Sequence, residues 1–204
     1  MELPSPFSMI VVGPSGSGKT HWVKKLLDSN LIQPQPQNIH YCYGEYQPLF
    51  NEMKNVTFHE GVPPNLYESF KPSVRNMIII DDLMENPNAQ NMLVQIFTKG
   101  SHHRCLTAIV LLQVLFPRNP KFRTISLNTN YIVLFKSARD RQQIKTLAKQ
   151  MSLNRVLPQA WEDSVNLSQF GYLLIDLRGS CDEGLRLRTR IFPQDGHTIV
   201  YQRK

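Results

Sequence analysis

The feature that most constrains the fold of this sequence is a glycine-rich loop between an apolar run and a helical pattern. Residues 13–20 match the phosphate-loop pattern G-x-x-x-x-G-K-[ST] at every fixed position. Residues 9–12, before the loop, are apolar, as in a buried strand. After the loop, one helical face would carry Trp22, Val23, Leu26 and Leu27. This order of strand, loop and helix is the context that the motif requires, so the chain is predicted to bind a nucleotide there.

The residue types of the loop suit contact with a chain of phosphates. Glycines let backbone N–H groups approach an anion because no Cβ intervenes, and the following helix adds the positive end of its dipole. Lys19 is predicted to reach the β- and γ-phosphates, and the Thr20 hydroxyl to ligate Mg²⁺. The residues predicted to bind the phosphates are Gly13, Pro14, Ser15, Gly16, Ser17, Gly18, Lys19 and Thr20.

Two carboxylates follow a second apolar run at residues 77–80. Asp81 ends this predicted strand, where its carboxylate can hold Mg²⁺ together with Thr20. Asp82 is predicted to point toward the γ-phosphate and to orient the attacking water or accept its proton; a loop cap is the alternative. A phosphate loop combined with an apolar strand and two aspartates predicts an NTPase, and favours the ASCE branch, in which the catalytic carboxylate follows the metal-binding one.

Gln113 is a polar residue at the end of the most apolar predicted strand, residues 107–113. A buried amide is costly unless it is hydrogen-bonded. The γ-phosphate, the lytic water or a neighbouring backbone group would each satisfy it. Because this strand is expected to lie beside the Asp81 strand, Gln113 is predicted to act as a sensor of the γ-phosphate.

The sequence favours ATP over GTP. A GTPase would usually show Asp-x-x-Gly after the metal-binding strand and an Asn/Thr-Lys-x-Asp segment that reads guanine. Here Leu83, Met84 and Glu85 follow the two aspartates, and residues 98–101 lack the final aspartate. ATP and Mg²⁺ are therefore the predicted ligands.

Strand and helix patterns alternate along the chain, which predicts an α/β fold with a mainly parallel central sheet and helices on both faces. All 204 residues are predicted to form a single P-loop ATPase domain, with a core at 7–151 and a C-terminal helix and edge strands at 152–204. The predicted strands are 38–43, 55–59, 77–81, 107–113, 131–135, an edge strand at 172–177, and 187–192 paired with 199–201. The predicted helices are 88–99, 138–151 with Ser137 as its cap, and 156–165.

The sequence favours an intracellular protein that is not secreted. Residues 1–8 lack the basic patch and apolar stretch of a signal peptide. The longest apolar run, residues 108–116, is interrupted by Gln113 and is too short to cross a bilayer. The three cysteines, Cys42, Cys105 and Cys181, show no disulfide or metal spacing, which suits a reducing compartment.

The net charge of +7 is concentrated in the second half of the chain. Residues 1–100 carry 7 basic and 9 acidic residues, whereas residues 101–204 carry 16 and 7. A segment this basic inside a folded domain predicts a polyanionic partner, with a plain solubility bias as the alternative. The candidates for contacts with nucleic-acid phosphates are a basic loop around residues 117–120, with Arg118, Lys121 and Arg123, and a helical ridge of Arg141, Lys145 and Lys149.

Several blocks together resemble the genome-packaging ATPases of polinton-like elements and adintoviruses, relatives of the poxvirus packaging ATPase in the FtsK–HerA superfamily. The resemblance runs from residue 7 to residue 151. Its blocks are the phosphate loop and residues 81–84, 99–104, 123–128 and 135–144. Two positions depart from the superfamily pattern: Asp82 stands where members often carry Glu, and Val114 where many carry Asn.

The resemblance implies a homo-oligomeric ring, a pentamer or hexamer, that hydrolyses ATP to thread double-stranded DNA into a capsid. It places the glutamine sensor at Gln113 and implies an arginine finger that reaches the ATP of the neighbouring subunit. Arg104 is the first candidate for this finger, with Arg123 and Arg139 in reserve. The implied partner is a capsid vertex or portal component, and the implied location is the host nucleus or cytoplasm, with association to the virion.

Two other functions stay open. A small nucleoside or nucleotide kinase would share the phosphate loop, and its arginine-rich lid would resemble the basic segment. A non-catalytic nucleic-acid-binding or assembly protein would carry a vestigial nucleotide site, although the intact Lys19, Thr20 and Asp81 argue against it. His102 and His103 are expected to be structural or interfacial, because adjacent histidines at a helix end rarely converge on one metal ion.

Overall fold

Strands alternate with helices along the chain. The structure, a computed structural model, describes residues 1–83, 85–100, 105–139 and 141–202. The strands are β1 Leu3–Pro4, β2 Ser8–Val12, β3 Ile32–Gln33, β4 Asn38–Tyr43, β5 Val56–Glu60, β6 Asn76–Asp81, β7 Leu106–Leu112, β8 Tyr131–Phe135, β9 Tyr172–Asp176, β10 Leu187–Thr189 and β11 Ile199–Tyr201. The α-helices are α1 Lys19–Asp28, α2 Leu66–Ser69, α3 Pro87–Gln95, α4 Pro120–Leu127, α5 Arg141–Gln150 and α6 Val156–Asn166.

Nine of the strands form one sheet, in the order β11-β10-β9-β8-β2-β7-β6-β4-β5. The strands from β8 to β5 in this order run parallel, and β9, β10 and β11 add antiparallel pairs at one side. β1 and β3 pair separately as a short parallel ribbon. The predicted α/β fold with a mainly parallel sheet is therefore confirmed.

The central strands β2, β6, β7 and β8 are buried along their whole length because helices cover both faces of the sheet. On one face, Ile10 and Ile78 belong to a core that includes buried side chains of α3, α4, α5 and α6. On the other face, Met9 and Met77 belong to a core that includes buried side chains of α1. Burial on both faces is typical of parallel sheets and explains why these strands read as continuous apolar runs.

The register of the sheet brings the chemistry-bearing segments to one edge. Val12 at the end of β2 pairs with Leu112 at the end of β7, and Leu111 pairs with Asp81 at the end of β6. β7 thus lies between the strand before the glycine loop and the strand that carries Asp81, and all three end at the same edge. In open α/β sheets, ligands bind outside the carboxyl ends of the strands.

The prediction that residues 172–177 form an edge strand is wrong. β9 lies between β8 and β10, and β11 occupies the edge. The strand is buried along its length, and its apolar pattern alone does not distinguish an interior position in the sheet from an edge position. The predicted pairing of residues 187–192 with 199–201 is confirmed by β10 and β11.

The expected basic loop around residues 117–120 is irregular as far as Asn119, and α4 begins at Pro120, so Arg118 lies in the loop whereas Lys121 and Arg123 lie on a helix. The Asn119 side chain caps this helix by accepting a hydrogen bond from the Lys121 N–H at 2.9 Å. Pro120 occupies the first turn, where its missing N–H has no cost. The prolines suggested a loop, but Asn119 followed by Pro120 is a sequence signal for the start of a helix.

Two other helix boundaries differ from the predictions. The helix expected at 138–151 with Ser137 as its cap is Arg141–Gln150, and residues 138 and 139 form a bend. The helix expected at 88–99 ends as α3 at Gln95 and continues as a π-helical turn, Ile96–Gly100. No helix among the described residues is both long enough and apolar enough to span a membrane.

The antiparallel end of the sheet is held by a buried ion cluster. The Asp176 carboxylate is fully buried and accepts hydrogen bonds from Arg178 at 2.7 Å and from Arg188 at 3.4 Å. Burial acts to raise the pKa of Asp176, but the hydrogen bonds and charge of Arg178 hold that pKa below its ordinary value. The cluster ties β9 to β10, because Arg188 lies on β10.

Candidate nucleotide-binding site

The glycine loop turns tightly between β2 and α1. Gly18 caps α1 with a φ of 97°, a left-handed conformation that L side chains rarely adopt. A Cβ at Gly18 would also lie 2.8 Å from the Phe170 ring, and a Cβ at Gly13 would lie 2.5 Å from the Ser17 Oγ. Position 18 therefore requires glycine for both conformation and space, and position 13 requires it for space.

Lys19 starts α1, and its amine lies over the loop. The Lys19 Nζ donates hydrogen bonds to the carbonyl oxygens of Gly13 at 2.7 Å and Pro14 at 3.0 Å. Burial lowers the pKa of Lys19, whereas the carboxylates of Asp81 and Asp82 act to raise it. An amine held here, against the backbone of the loop, is placed to meet an anion that the loop binds.

Thr20 and Asp81 come together beside Lys19. The Thr20 Oγ1 lies 3.5 Å from the Asp81 Oδ2, and Asp81 is only 6% exposed. The Tyr41 hydroxyl donates a hydrogen bond to the same Asp81 oxygen at 2.7 Å. Burial raises the pKa of Asp81, although the Tyr41 hydrogen bond and the Lys19 charge oppose the shift.

Tyr41 is a site residue that the sequence did not reveal. It lies on β4, where its backbone pairs with Ile79 of β6, two residues before Asp81. Burial raises the pKa of its phenol, and so do the charge of Asp81 and the hydrogen bond to it. Carboxylates that bind metal ions are themselves held by hydrogen bonds from neighbouring groups, and the Tyr41 hydroxyl makes such a bond to Asp81. The alternating pattern of the strand at 38–43 indicates which side chains share a face of the sheet with Tyr41, but it does not indicate that Tyr41 contacts Asp81.

Asp82 and Gln113 form a pair at the edge of the sheet. The Gln113 Nε2 lies 3.1 Å from each carboxylate oxygen of Asp82. Asp82 has a φ of 55°, an uncommon conformation for a residue other than glycine. The expectation that Gln113 ends a strand as a buried amide is wrong: β7 ends at Leu112, and Gln113 is exposed.

A cleft of about 460 Å³ joins these groups. It is lined by residues 15–21 of the loop and first helical turn, by Asp81, Asp82 and Gln113, and by Phe170. A second cleft of about 680 Å³ also includes Asp82 and Gln113, together with Arg118. The pair thus lines both clefts.

The residues of the first cleft fit a magnesium nucleotide. The Thr20 hydroxyl and the Asp81 carboxylate supply hard oxygen ligands of the kind that Mg²⁺ prefers. The Ser17 Oγ is buried and has no hydrogen-bond partner among the described residues, so a phosphate oxygen would satisfy it. The described residues contain no cluster of three or more His, Cys, Asp or Glu side chains of the kind that holds a metal ion by itself.

Two of the side chains predicted to contact DNA have polar partners among the described residues. The Lys121 Nζ donates to the Asn91 Oδ1 at 2.6 Å, and Arg141 pairs with Glu162 at 3.1 Å. Lys145 and Lys149 are exposed on α5, and Arg118 and Arg123 are exposed near α4. The structure brings Arg118 to the second cleft beside Gln113 and leaves the α5 ridge on a separate helix.

Gln143 links the ridge helix to the segment after Gln113. Its Oε1 accepts hydrogen bonds from the backbone N–H groups of Leu115 at 2.8 Å and Phe116 at 3.1 Å. Gln143 lies on α5 between Arg141 and Lys145. Sequence reasoning assigned it no role, although it falls in the block at residues 135–144 that carries the family resemblance.

The first candidate for the arginine finger, Arg104, lies outside the described residues, as do His102 and His103. The two reserve candidates are described and exposed: Arg123 on α4 and Arg139 in the bend before α5. The predicted roles of all these residues stay predictions.

Comparisons with known proteins point to viral packaging ATPases. No family model matches the chain. Packaging protein 1 of snake adenovirus serotype 1 is 28% identical over 108 residues, which is 47% of this chain and 24% of that protein. The chain therefore spans about a quarter of the length of this curated relative.

Solved structures agree over nearly the whole chain. The genome packaging NTPase B204 of Sulfolobus turreted icosahedral virus 2, in complex with ATP-gammaS, matches with a TM-score of 0.55 and 14% identity, over 97% of this chain and 98% of that chain. The DNA-packaging ATPase B204 of Sulfolobus turreted icosahedral virus matches with a TM-score of 0.56 and 13% identity over the same shares.

A bacterial ATPase shares the same architecture. The cytoplasmic domain of the type VII secretion ATPase EccC of Thermomonospora curvata matches with a TM-score of 0.57 and 12% identity, over 96% of this chain and 25% of that chain. Identities this low show the fold alone. The chain has the fold of the P-loop ATPases, and its predicted resemblance to viral genome-packaging ATPases is confirmed.

Proposed function

We propose that this chain is an ATP-driven motor that packages the double-stranded DNA of a virus or virus-like element into a capsid. The observation that carries the proposal is the convergence of Lys19, Thr20 and Asp81 with the Asp82–Gln113 pair on one cleft. A cleft with phosphate, metal and water-activating groups suits hydrolysis better than nucleotide binding alone. The likeness to proteins that package viral genomes supports the choice of task.

Each side chain then has a part in hydrolysis. Lys19 donates to the β- and γ-phosphate oxygens, and Thr20 and Asp81 would hold Mg²⁺, which would neutralise the charge that develops on the phosphates. Gln113 and Asp82 orient a water molecule, whose oxygen bonds to the γ-phosphorus as the bond from that phosphorus to the bridging oxygen breaks. Asp82 accepts the water proton, and ADP and phosphate leave.

The proposed partners are duplex DNA, identical subunits and a capsid vertex or portal component. The second cleft supports an arrangement in which a neighbouring subunit completes the site, because it opens onto the Asp82–Gln113 pair from outside the nucleotide cleft. We assign the arginine finger to Arg104, and such a finger is worth about 10³–10⁵ in rate. The proposed location is the host nucleus or cytoplasm, with association to the virion.

The proposal is tested by the ATPase rate with and without double-stranded DNA, together with particle size in solution. We expect the rate to rise with duplex and the active species to be a pentamer or hexamer. A protein that stays a single subunit and ignores duplex while it consumes ATP would refute the motor. Phosphorylation of a nucleoside, without stimulation by DNA, would indicate the kinase alternative.

We expect DNA affinity to fall steeply with salt, because lysines and arginines that contact phosphates release counterions from DNA. The logarithm of the affinity should decrease with the logarithm of salt concentration with a slope of about −0.9 per phosphate contacted. Replacing Lys145 and Lys149 together by alanine should make the slope shallower by about 2, as measured by fluorescence anisotropy on a random duplex.

The matched control for this double variant is Lys54→Ala with Lys71→Ala, two exposed lysines outside the basic segment. This pair should leave the slope unchanged. An equal change in both variants, or no change in either, would contradict the assignment of the α5 ridge to DNA.

Gln143→Ala is expected to weaken the coupling between DNA and the nucleotide site. The two hydrogen bonds to Leu115 and Phe116 join the ridge helix to the segment after Gln113. Because each such bond is worth about 1 kcal/mol, loss of both should lower stimulation of the ATPase by duplex by up to about 30-fold. The ratio of stimulated to basal rates measures this, with Gln150→Ala on the same helix as the control. Equal ratios in the two variants would show that Gln143 does not couple DNA binding to the nucleotide site.

A further inference from the structure

A third cleft, of about 410 Å³, opens beside the nucleotide cleft and shares Gly18, His21 and Phe170 with it. Its other walls come from α1, from the end of α6 and from the strands β9 and β10. None of the hydrolytic side chains, Lys19, Asp81, Asp82 or Gln113, lines it. The cleft therefore continues from the glycine loop but belongs to a different part of the fold.

The strand order fixes which end of a nucleotide would face this cleft. β7 and β6, which carry Gln113 and Asp81 at their ends, lie on one side of β2. β8 and β9 lie on the other side, and Phe170 lies two residues before the start of β9. With the γ-phosphate at Asp82 and Gln113, the nucleoside leaves the loop toward Gly18 and His21, where the third cleft begins.

The walls of this cleft suit an aromatic heterocycle. Phe170 is 46% exposed, although it is a large apolar side chain, and its ring lies parallel to His21 with centroids 6.3 Å apart. Trp22, Tyr172 and Phe192 contact one another behind it with edge-on or tilted rings. Pockets for small ligands of this kind are apolar and aromatic, with a few polar groups.

One polar group in the wall has no protein partner. The Ser164 side chain on α6 is fully buried, and its Oγ has no hydrogen-bond partner among the described residues. Ser164 lines the third cleft. A buried hydroxyl without a partner is costly, whereas the ring nitrogens and exocyclic group of a base would satisfy it.

We propose that the third cleft holds the base of the nucleotide, with a purine stacked on Phe170. The inference rests on the proposed function, because it assumes that the glycine loop binds the phosphates of ATP. It adds the residues that contact the base, and it assigns a role to the segment after residue 152, which is outside the region of family resemblance.

The test compares ATP with inorganic tripolyphosphate, both with Mg²⁺, by calorimetric titration of the full chain. Stacking of a base on an aromatic ring contributes to the free energy of binding, so Phe170→Ala should weaken ATP binding by about 5- to 100-fold. Tripolyphosphate carries no base, so its affinity should stay within about twofold of wild type. Phe170→Trp should retain ATP affinity because the indole still offers a stacking face.

Leu185→Ala is the matched control, because Leu185 is also 46% exposed and lines none of the three clefts. It should change neither affinity. Tyr46 is another exposed aromatic side chain that lines the nucleotide cleft. If Phe170→Ala leaves ATP binding intact, or if Tyr46→Ala alone weakens it, the base lies elsewhere and the inference fails. If the wild-type chain binds neither ATP nor tripolyphosphate, the proposed function itself fails, so the two failures are distinguishable.

Discussion

Replacing Lys19 by alanine is expected to abolish ATP hydrolysis and to weaken ATP binding. The Lys19 amine lies over the glycine loop, within 3.0 Å of two loop carbonyl oxygens, and Lys19 lines the cleft in which the β- and γ-phosphates are predicted to bind. Loss of a preorganised donor to a developing negative charge typically costs about 10²–10³ in turnover. Release of inorganic phosphate at saturating ATP measures the effect.

Lys24→Ala provides the control on the same helix. The Lys24 Nζ pairs with Asp28 at 2.8 Å and lies 3.7 Å from Glu52, away from the nucleotide cleft. Surface ion pairs of this kind contribute little to stability, so the variant should fold and turn over like wild type. Unchanged turnover in Lys19→Ala would mean that the measured hydrolysis does not use the glycine loop, which would revive the vestigial-site alternative.

The parts of this molecule that could be predicted from the sequence are those in which one local pattern decides the outcome. The glycine loop has a residue pattern of its own. The predicted strands at 38–43 and 131–135, observed as β4 and β8, show alternating or apolar patterns between turn residues. Parallel strands buried on both faces leave a strong pattern because every side chain is apolar. The sequence pattern does not indicate the order of the strands in the sheet. The prediction that residues 172–177 form an edge strand is wrong for this reason.

The supporting residues of the site could not be predicted because their roles depend on distant partners. Tyr41 on β4 contacts Asp81 on the neighbouring strand β6, 40 residues away in sequence, and Gln143 accepts hydrogen bonds from backbone N–H groups 27 and 28 residues away. The Phe170 ring packs against Gly18, 152 residues earlier in the sequence. Neither composition nor periodicity records such contacts. Gln113 shows the opposite case, since the residue was singled out correctly as polar at a strand end, but it lies one position beyond the strand and is exposed.

Asp82→Asn is expected to stop the chemical step while ATP still binds. Asparagine keeps the size of the side chain and an oxygen that can accept from Gln113, but it cannot take a proton from the attacking water. Loss of a general base typically lowers kcat by about 10²–10⁴. Asp81 and Thr20, which would hold Mg²⁺, are unchanged in this variant. Equilibrium binding of Mg²⁺–ATP, measured beside phosphate release, should therefore show an affinity close to that of wild type.

The conservative variant Asp82→Glu separates chemistry from structure at this position. It retains a carboxylate, and the second cleft beside the Asp82–Gln113 pair gives the longer side chain room. If the carboxylate is the base, Asp82→Glu should keep much of the turnover that Asp82→Asn loses. If Asp82 only caps its loop in the unusual backbone conformation with φ of 55°, asparagine should serve as well as aspartate, because both tolerate that region. Turnover in Asp82→Asn within a few-fold of wild type would then assign proton transfer to another group, and the glycine loop with Asp81 would remain as the nucleotide site.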